Sequence, residues 1–410
     1  MSQLQPDQRR DAEPLNVAFE TLGCRSNHAD TIELQAALIE AGGTPVADIR
    51  RADVFVLNSC TVTDQADRSV QSALRRAKKE NPELRVVVTG CMAETGAETL
   101  QQLGIADAII GPSDRPSVLR AILGQSAQQT SDVPKRPARS RKVSWKSISL
   151  DHAFPSVMGG PGSALGELPL RARYHLRVQE GCENTCTFCI IPQSRGNLSS
   201  RVSQEILRDL DRLEELGYTE VVLTGTHLGG YGEDRSSSLT ELLRLIASRR
   251  SPQRIRLSSI DPNDVDLEML EVLATNGCFC PHLHICVQAF TDRVLKRMNR
   301  KYRLDDVFSL LEQIQRLWPA CALGTDVIVG FPGETSDESE AGRELFERLP
   351  FAYNHVFPYS ERQGTAATRL DGAVPVRERK ARASRWRAAG QRKQRAFLRS
   401  LIGKSLDLVF

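Results

Sequence analysis

The sequence predicts an α/β protein with two sheet-bearing regions: an N-terminal open parallel sheet and, after it, a partial (β/α)6 barrel. Three observations carry this. Short Val-rich runs alternate with amphipathic stretches through residues 15–125, as in a parallel sheet covered on both faces. A second alternating series of strand–helix units fills 171–375; six units are too few for a complete eight-unit barrel. Between the two, 126–170 loses all periodicity and turns rich in Pro, Gly, Ser and basic residues (PKRPARSRK, GGPGSALG), the composition of a linker. A chain of 410 residues is also too long for one ordinary core.

The elements follow in order. Strands are expected at 16–21, 53–58, 85–89 and 107–110, with helices at 28–41 and 64–80. In the second series the strands fall at 176–179, 220–224, 254–258, 282–287, 323–329 and 355–359, and helices include 203–216 and 304–317. The stretch 376–400 reads as a helix dense in Arg and Lys with almost no acid of its own. It suits either a solvated face or a phosphate backbone.

Composition narrows the function classes. Apolar content of 40%, charged content of 26% and a net charge of +3 describe a globular protein without a global nucleic-acid signature. The first 14 residues are polar, and no stretch is apolar enough to span a bilayer, so the expected location is cytoplasmic, with no membrane partner. Ten cysteines in such a chain are expected to be ligands or buried thiols rather than disulfides.

Spacing separates the two. Cys182, Cys186 and Cys189 stand as CxxxCxxC in a loop after the first strand of the second series. A 4Fe-4S cubane normally takes four thiolates. Three leave one iron open to an outside ligand, and S-adenosylmethionine (SAM) can chelate it through its amino and carboxylate groups. Zinc would want a fourth Cys or His nearby, and the segment has none. Cys24, Cys60 and Cys91 each lie just past a strand of the first series. Parallel strands end on one sheet edge, where ligands bind, so these three converge although far apart in sequence. They form a second three-thiolate set. Cys278, Cys280, Cys286 and Cys321 read as buried or partly exposed thiols, and His282 and His284 as core or hydrogen-bonded histidines.

With both sets placed, the chain resembles the methylthiotransferase family of radical SAM enzymes over essentially its whole length. The motifs are TLGCRSN, LNSCTVT, TGCMAE, GCENTCTFCIIPQSRG, HLHICVQ, MNRKY and DVIVGFPGET. The resemblance implies that Cys182, Cys186 and Cys189 hold a 4Fe-4S cluster that cleaves SAM to a 5′-deoxyadenosyl radical. It implies that Cys24, Cys60 and Cys91 hold a second, sulfur-carrying 4Fe-4S cluster. An electron donor such as flavodoxin or ferredoxin is implied as well. SAM contacts are expected at Phe188, at Thr224 and Gly225, at Gln288, and at Gly330 and Gly333, though each also has a structural reading as a turn or strand-end residue. LTGTHLGGYGED (223–234) is similar to enzymes acting on N6-threonylcarbamoyladenosine at position 37, beside the tRNA anticodon. The same chemistry on isopentenyladenosine or on a ribosomal-protein aspartate is the alternative.

Two departures from the family pattern stand out. Ala289-Phe290 replaces the usual Ser-Gly, and Phe290 is expected to reshape the SAM pocket or its edge. At 401–410, LIGKSLDLVF resembles the first strand of the family's C-terminal RNA-binding barrel, of the TRAM type, and the chain then stops.

Overall fold

The structure, a computed structural model, describes residues 14–125 and 173–405; the expected linker lies outside them. The first region carries β1 (Asn16–Thr21), β2 (Thr44–Val46), β3 (Val54–Ser59), β4 (Arg85–Gly90) and β5 (Ala108–Ile109) in one parallel sheet ordered β2-β1-β3-β4-β5. Its helices are α1 (Arg25–Glu40), α2 (Asp64–Glu80), α3 (Cys91–Thr95), α4 (Ala97–Leu103) and α5 (Arg115–Ile122). Every residue of β3 is buried. Phe55 and Leu57 pack on one side with Val70 and Leu74 of α2. Val54 and Val56 pack on the other with Leu34 and Leu38 of α1. That two-sided burial is why the strand is a continuous apolar run. The edge strand β2 was not expected: it is three residues long and contains Pro45, a residue tolerated at sheet edges.

The second region holds β6 (Arg173–Arg177), β7 (Gln179–Glu180), β8 (Ser199–Ser200), β9 (Glu220–Thr224), β10 (Arg254–Leu257), β11 (His282–Gln288), β12 (Ala322–Val329) and β13 (Tyr353–Pro358). Two parallel three-stranded sheets, β10-β9-β6 and β11-β12-β13, are joined by the isolated parallel bridges Ile255–Phe279 and Ile260–Ile285. One contiguous core spans both. The expected strand at 176–179 is corrected: β6 ends at Arg177, and β7 turns away to pair antiparallel with β8. The helices here are α6 (Ile191–Arg195), α7 (Ser203–Glu215), α8 (Leu239–Ser248), α9 (Leu267–Thr275), α10 (Asp292–Arg297), α11 (Leu304–Leu317), α12 (Ser336–Arg348) and α13 (Val376–Ser400).

The basic helix α13 is neither a free tether nor a wholly solvated face. Arg379 pairs with Glu361 at 2.6 Å and Arg382 with Glu334 at 2.7 Å, while Arg382, Trp386 and Ala389 are buried. Apart from Glu378 within the helix, the acids that balance it come from other elements. Residues 401–403 form a turn rather than the expected strand, and 406–410 lie outside the described residues. No helix among the described residues is long and apolar enough to cross a membrane.

Candidate active site between two cysteine triads

Strands β1, β3 and β4 are neighbours and run parallel, so their ends deliver Cys24, Cys60 and Cys91 to one edge. Cys24 caps α1, Cys60 follows β3 directly, and Cys91 opens α3. A buried amide pair ties the three loops together. Asn27 donates to the Asn58 side chain at 2.7 Å and to the Ser59 carbonyl at 3.2 Å. Asn58 donates back to the Asn27 carbonyl at 2.8 Å, and Ser59 donates to the Thr89 carbonyl at 2.5 Å. Gly90, at φ 90°, passes so close that a Cβ there would sit 2.3 Å from the Ser59 carbonyl oxygen; only glycine fits.

The second triad is built differently. Cys182, Cys186 and Cys189 share one loop, clasped by 298–302. The Thr187 N–H donates to the Met298 carbonyl at 3.0 Å, Asn299 donates to the Thr185 hydroxyl at 2.7 Å, and Arg300 donates to the Cys186 sulfur at 3.2 Å. Arg300 is itself held by Asp261 at 2.5 Å.

Burial pushes the Cys60, Cys182 and Cys189 thiols up to about 12, and the Cys91 thiol up as well. A desolvated thiol ionises only beside positive charge, and a bound metal supplies it outright. Each triad also has a buried guanidinium at hand: Arg300 beside Cys186, and Arg195 against Cys91. All six thiols are free. Soft thiolate sets with adjacent cations fit anionic iron–sulfur clusters.

Between the triads lies a cavity of about 190 Å³, lined by Cys189, Phe188, Gln288 and Asp326 on one side and by Val62 and Thr63, just past Cys60, on the other. Gln288 sits at φ 67° where the β11–β12 register shifts, an uncommon conformation for a non-glycine residue and one that clusters at functional sites. Asp326 accepts from His284 at 2.9 Å and His355 at 3.2 Å. Burial raises its pKa, but these hydrogen bonds outweigh burial and hold its carboxyl well below the usual range.

Thr224, Gly225, Gly330 and Gly333 do not line this cavity. Thr224 is buried at the end of β9 and donates to the Val222 carbonyl at 3.2 Å. A Cβ on Gly225 would meet the Gln179 side chain at 2.8 Å. Gly330 (φ 71°) and Gly333 (φ 85°) pack against Arg379 and Arg297 respectively, which accounts for both glycines without a ligand. Phe290 is corrected. It turns away from the cavity into an aromatic cluster with Phe346, Phe351 and Trp386, at centroid distances of 5.9, 6.1 and 5.5 Å. Phe290→Gly is therefore expected to cost at least about 3 kcal/mol of stability in chemical denaturation. Equilibrium SAM binding measured alongside should stay at the wild-type value.

A CxxxCxxC loop at the head of parallel α/β sheets defines a radical SAM protein, and residues 176–345 match the radical SAM superfamily. Residues 16–111 match the uncharacterized protein family UPF0004. The chain is 35% identical to the threonylcarbamoyladenosine tRNA methylthiotransferase MtaB of Aquifex aeolicus, over 96% of this chain and 92% of that one. It is 36% identical to the Bacillus subtilis protein of the same name, over 87% and 76%. The chain belongs to the methylthiotransferase family of radical SAM enzymes. The radical SAM methyltransferase TsrM of Kitasatospora setae shares the fold, at a TM-score of 0.58 and 15% identity over 84% of this chain and 75% of that one.

Proposed function

We propose that the protein places a methylthio group on C2 of N6-threonylcarbamoyladenosine at position 37 of tRNA. The observation that carries this is the 35% identity to a threonylcarbamoyladenosine tRNA methylthiotransferase over 96% of the chain, together with a cavity lined by Cys189 and by the loop after Cys60. On this reading Cys182, Cys186 and Cys189 hold the cluster that binds SAM, and Cys24, Cys60 and Cys91 hold the second, sulfur-carrying one. When bound, the two clusters and SAM supply the radical, sulfur and methyl chemistry that side chains cannot. The chain's own part is positional. Arg300 and Arg195 offset thiolate charge, Phe188 and Gln288 orient SAM at the cavity wall, and Ile190 and Ile328 keep water out. Thr224, Gly225, Gly330 and Gly333, which do not line the cavity, are given no SAM contact on this reading.

The strand order β6-β9-β10, bridged to β11-β12-β13, is read as an open (β/α)6 barrel. The units are then 15–125 for the sulfur-cluster domain, 126–170 for the linker, 171–375 for the barrel and 376–400 for the basic helix, with 401–410 following it. Electrons come from a low-potential carrier such as flavodoxin or ferredoxin, and the setting is the cytoplasm, where tRNA is the partner.

Nucleoside analysis of tRNA from cells lacking the gene tests this. The 2-methylthio derivative of threonylcarbamoyladenosine should vanish while its unthiolated parent accumulates. Persistence of the derivative sinks the assignment.

A further inference from the structure

Arg25 follows Cys24 directly and opens α1, and its charge feels groups outside its own sheet. The groups that act on it are Tyr353 and Asp326 of the β11-β12-β13 sheet and Arg256 and Arg173 of the other. Its Nη1 is buried and, among the described residues, has no hydrogen-bond partner. A desolvated guanidinium nitrogen without an acceptor is costly and is rarely left so unless a ligand completes it.

Among the described residues, the surroundings are short of negative charge. Buried Glu220 already serves three arginines, Arg173 at 2.7 Å, Arg256 at 2.8 Å and Arg254 at 3.6 Å. Asp326 is taken by His284 and His355. Counting these side chains, four arginines face two carboxylates. A second buried atom is also unsatisfied, His282 Nδ1. Burial first, then Arg256, His284 and Arg25, drive that imidazole down to about 3, so it stays neutral and adds no charge. Asp326 lines the cavity and also acts electrostatically on Arg25, which links the cationic interior to that cavity.

We propose that Arg25 is a substrate-specificity residue whose guanidinium binds the carboxylate of the threonyl substituent on the target adenosine. Its planar fork matches a carboxylate bidentately, and a neutral substituent on the same nitrogen would leave it unpaired. The proposal rests on the substrate reading above.

The test uses the reconstituted full-length protein and anticodon stem-loop RNAs bearing threonylcarbamoyladenosine, its methyl ester, or plain adenosine at position 37, with affinity read by fluorescence anisotropy. Wild type should bind the free acid roughly ten- to a hundredfold tighter than the ester. Arg25→Gln should remove that preference while binding plain adenosine as before, and Arg25→Lys should keep part of it. Iron content of each variant confirms that the neighbouring Cys24 site is intact; should Gln disturb it, Lys against wild type carries the comparison. An Arg25→Gln protein with full iron and undiminished preference for the acid overturns the proposal. So does a wild type that does not distinguish acid from ester. Mass spectrometry of the RNA after turnover separates these failures from failure of the substrate reading, which alone predicts no product from the acid.

Discussion

Replacing Cys24, Cys60 and Cys91 together by alanine is expected to lower iron after anaerobic reconstitution from about eight to about four per chain, with loss of methylthiolation to background. The three thiols come from three separate strand ends and meet only because β1, β3 and β4 are adjacent. Two of them contribute little to the fold, since Cys24 is exposed and Cys60 half-buried; only Cys91 is buried, and alanine there removes a single small side-chain atom. The Asn27–Asn58 pair and the Ser59–Thr89 bond hold the loops without them. The variant should therefore fold, retain the CxxxCxxC site and still cleave SAM, while lacking the site assigned to sulfur. Equal iron in variant and wild type, at about four, would remove the second cluster and with it the sulfur-transfer reading.

The cysteines were legible because each stands immediately past an apolar run, and a parallel sheet gathers such positions at one edge. Some helix bounds were legible for the same reason: α2, α11 and α13 begin and end where the pattern changes, whereas β6 and α1 start three residues earlier than the pattern predicts. What holds the site was not. Asn27 and Asn58 are ordinary polar letters until β1 and β3 pair and bury them. Arg195 lies beside Cys91 although a hundred or so positions separate them in the sequence. Phe290 illustrates the converse. Its position in the text suggested the SAM pocket, but after Gln288 the chain leaves the sheet and the ring falls into the core. In α13 the excess of Arg was visible, but not the acids opposite it, because Glu334, Glu347 and Glu361 arrive from other elements. Sequence spacing reveals groups that converge by topology; it is blind to partners chosen by packing.

Asp30→Asn is expected to destabilise the protein by about 3–5 kcal/mol. Asp30 of α1 is buried among Arg115 at 3.0 Å, Arg195 at 2.9 Å and Arg177. Glu180 accepts from Arg115 and Arg195, both at 2.8 Å, and Glu33 accepts from Arg177. Three arginines thus face three carboxylates, with α1 and α5 on one side of the seam and β6, β7 and α6 on the other. Burial opposes the charge on Arg177, but Glu33, Glu180 and Asp30 outweigh it and raise its pKa. Removing one carboxylate leaves a positive charge in the interior with nothing to offset it. If charge balance rather than any single contact matters, adding Arg115→Met to Asp30→Asn should recover part of the loss. Urea unfolding of the two singles and the double decides: simple addition of the two losses would refute the balance argument. The seam also has a functional consequence. α1 begins at Cys24's loop, and α6 starts just past Cys189 and ends at Arg195 beside Cys91, so this ion network ties together elements that carry both triads. A displacement of about 1 Å there is enough to cost on the order of a hundredfold in rate. Asp30→Asn should therefore slow methylthiolation at temperatures where the variant is still fully folded and fully loaded with iron.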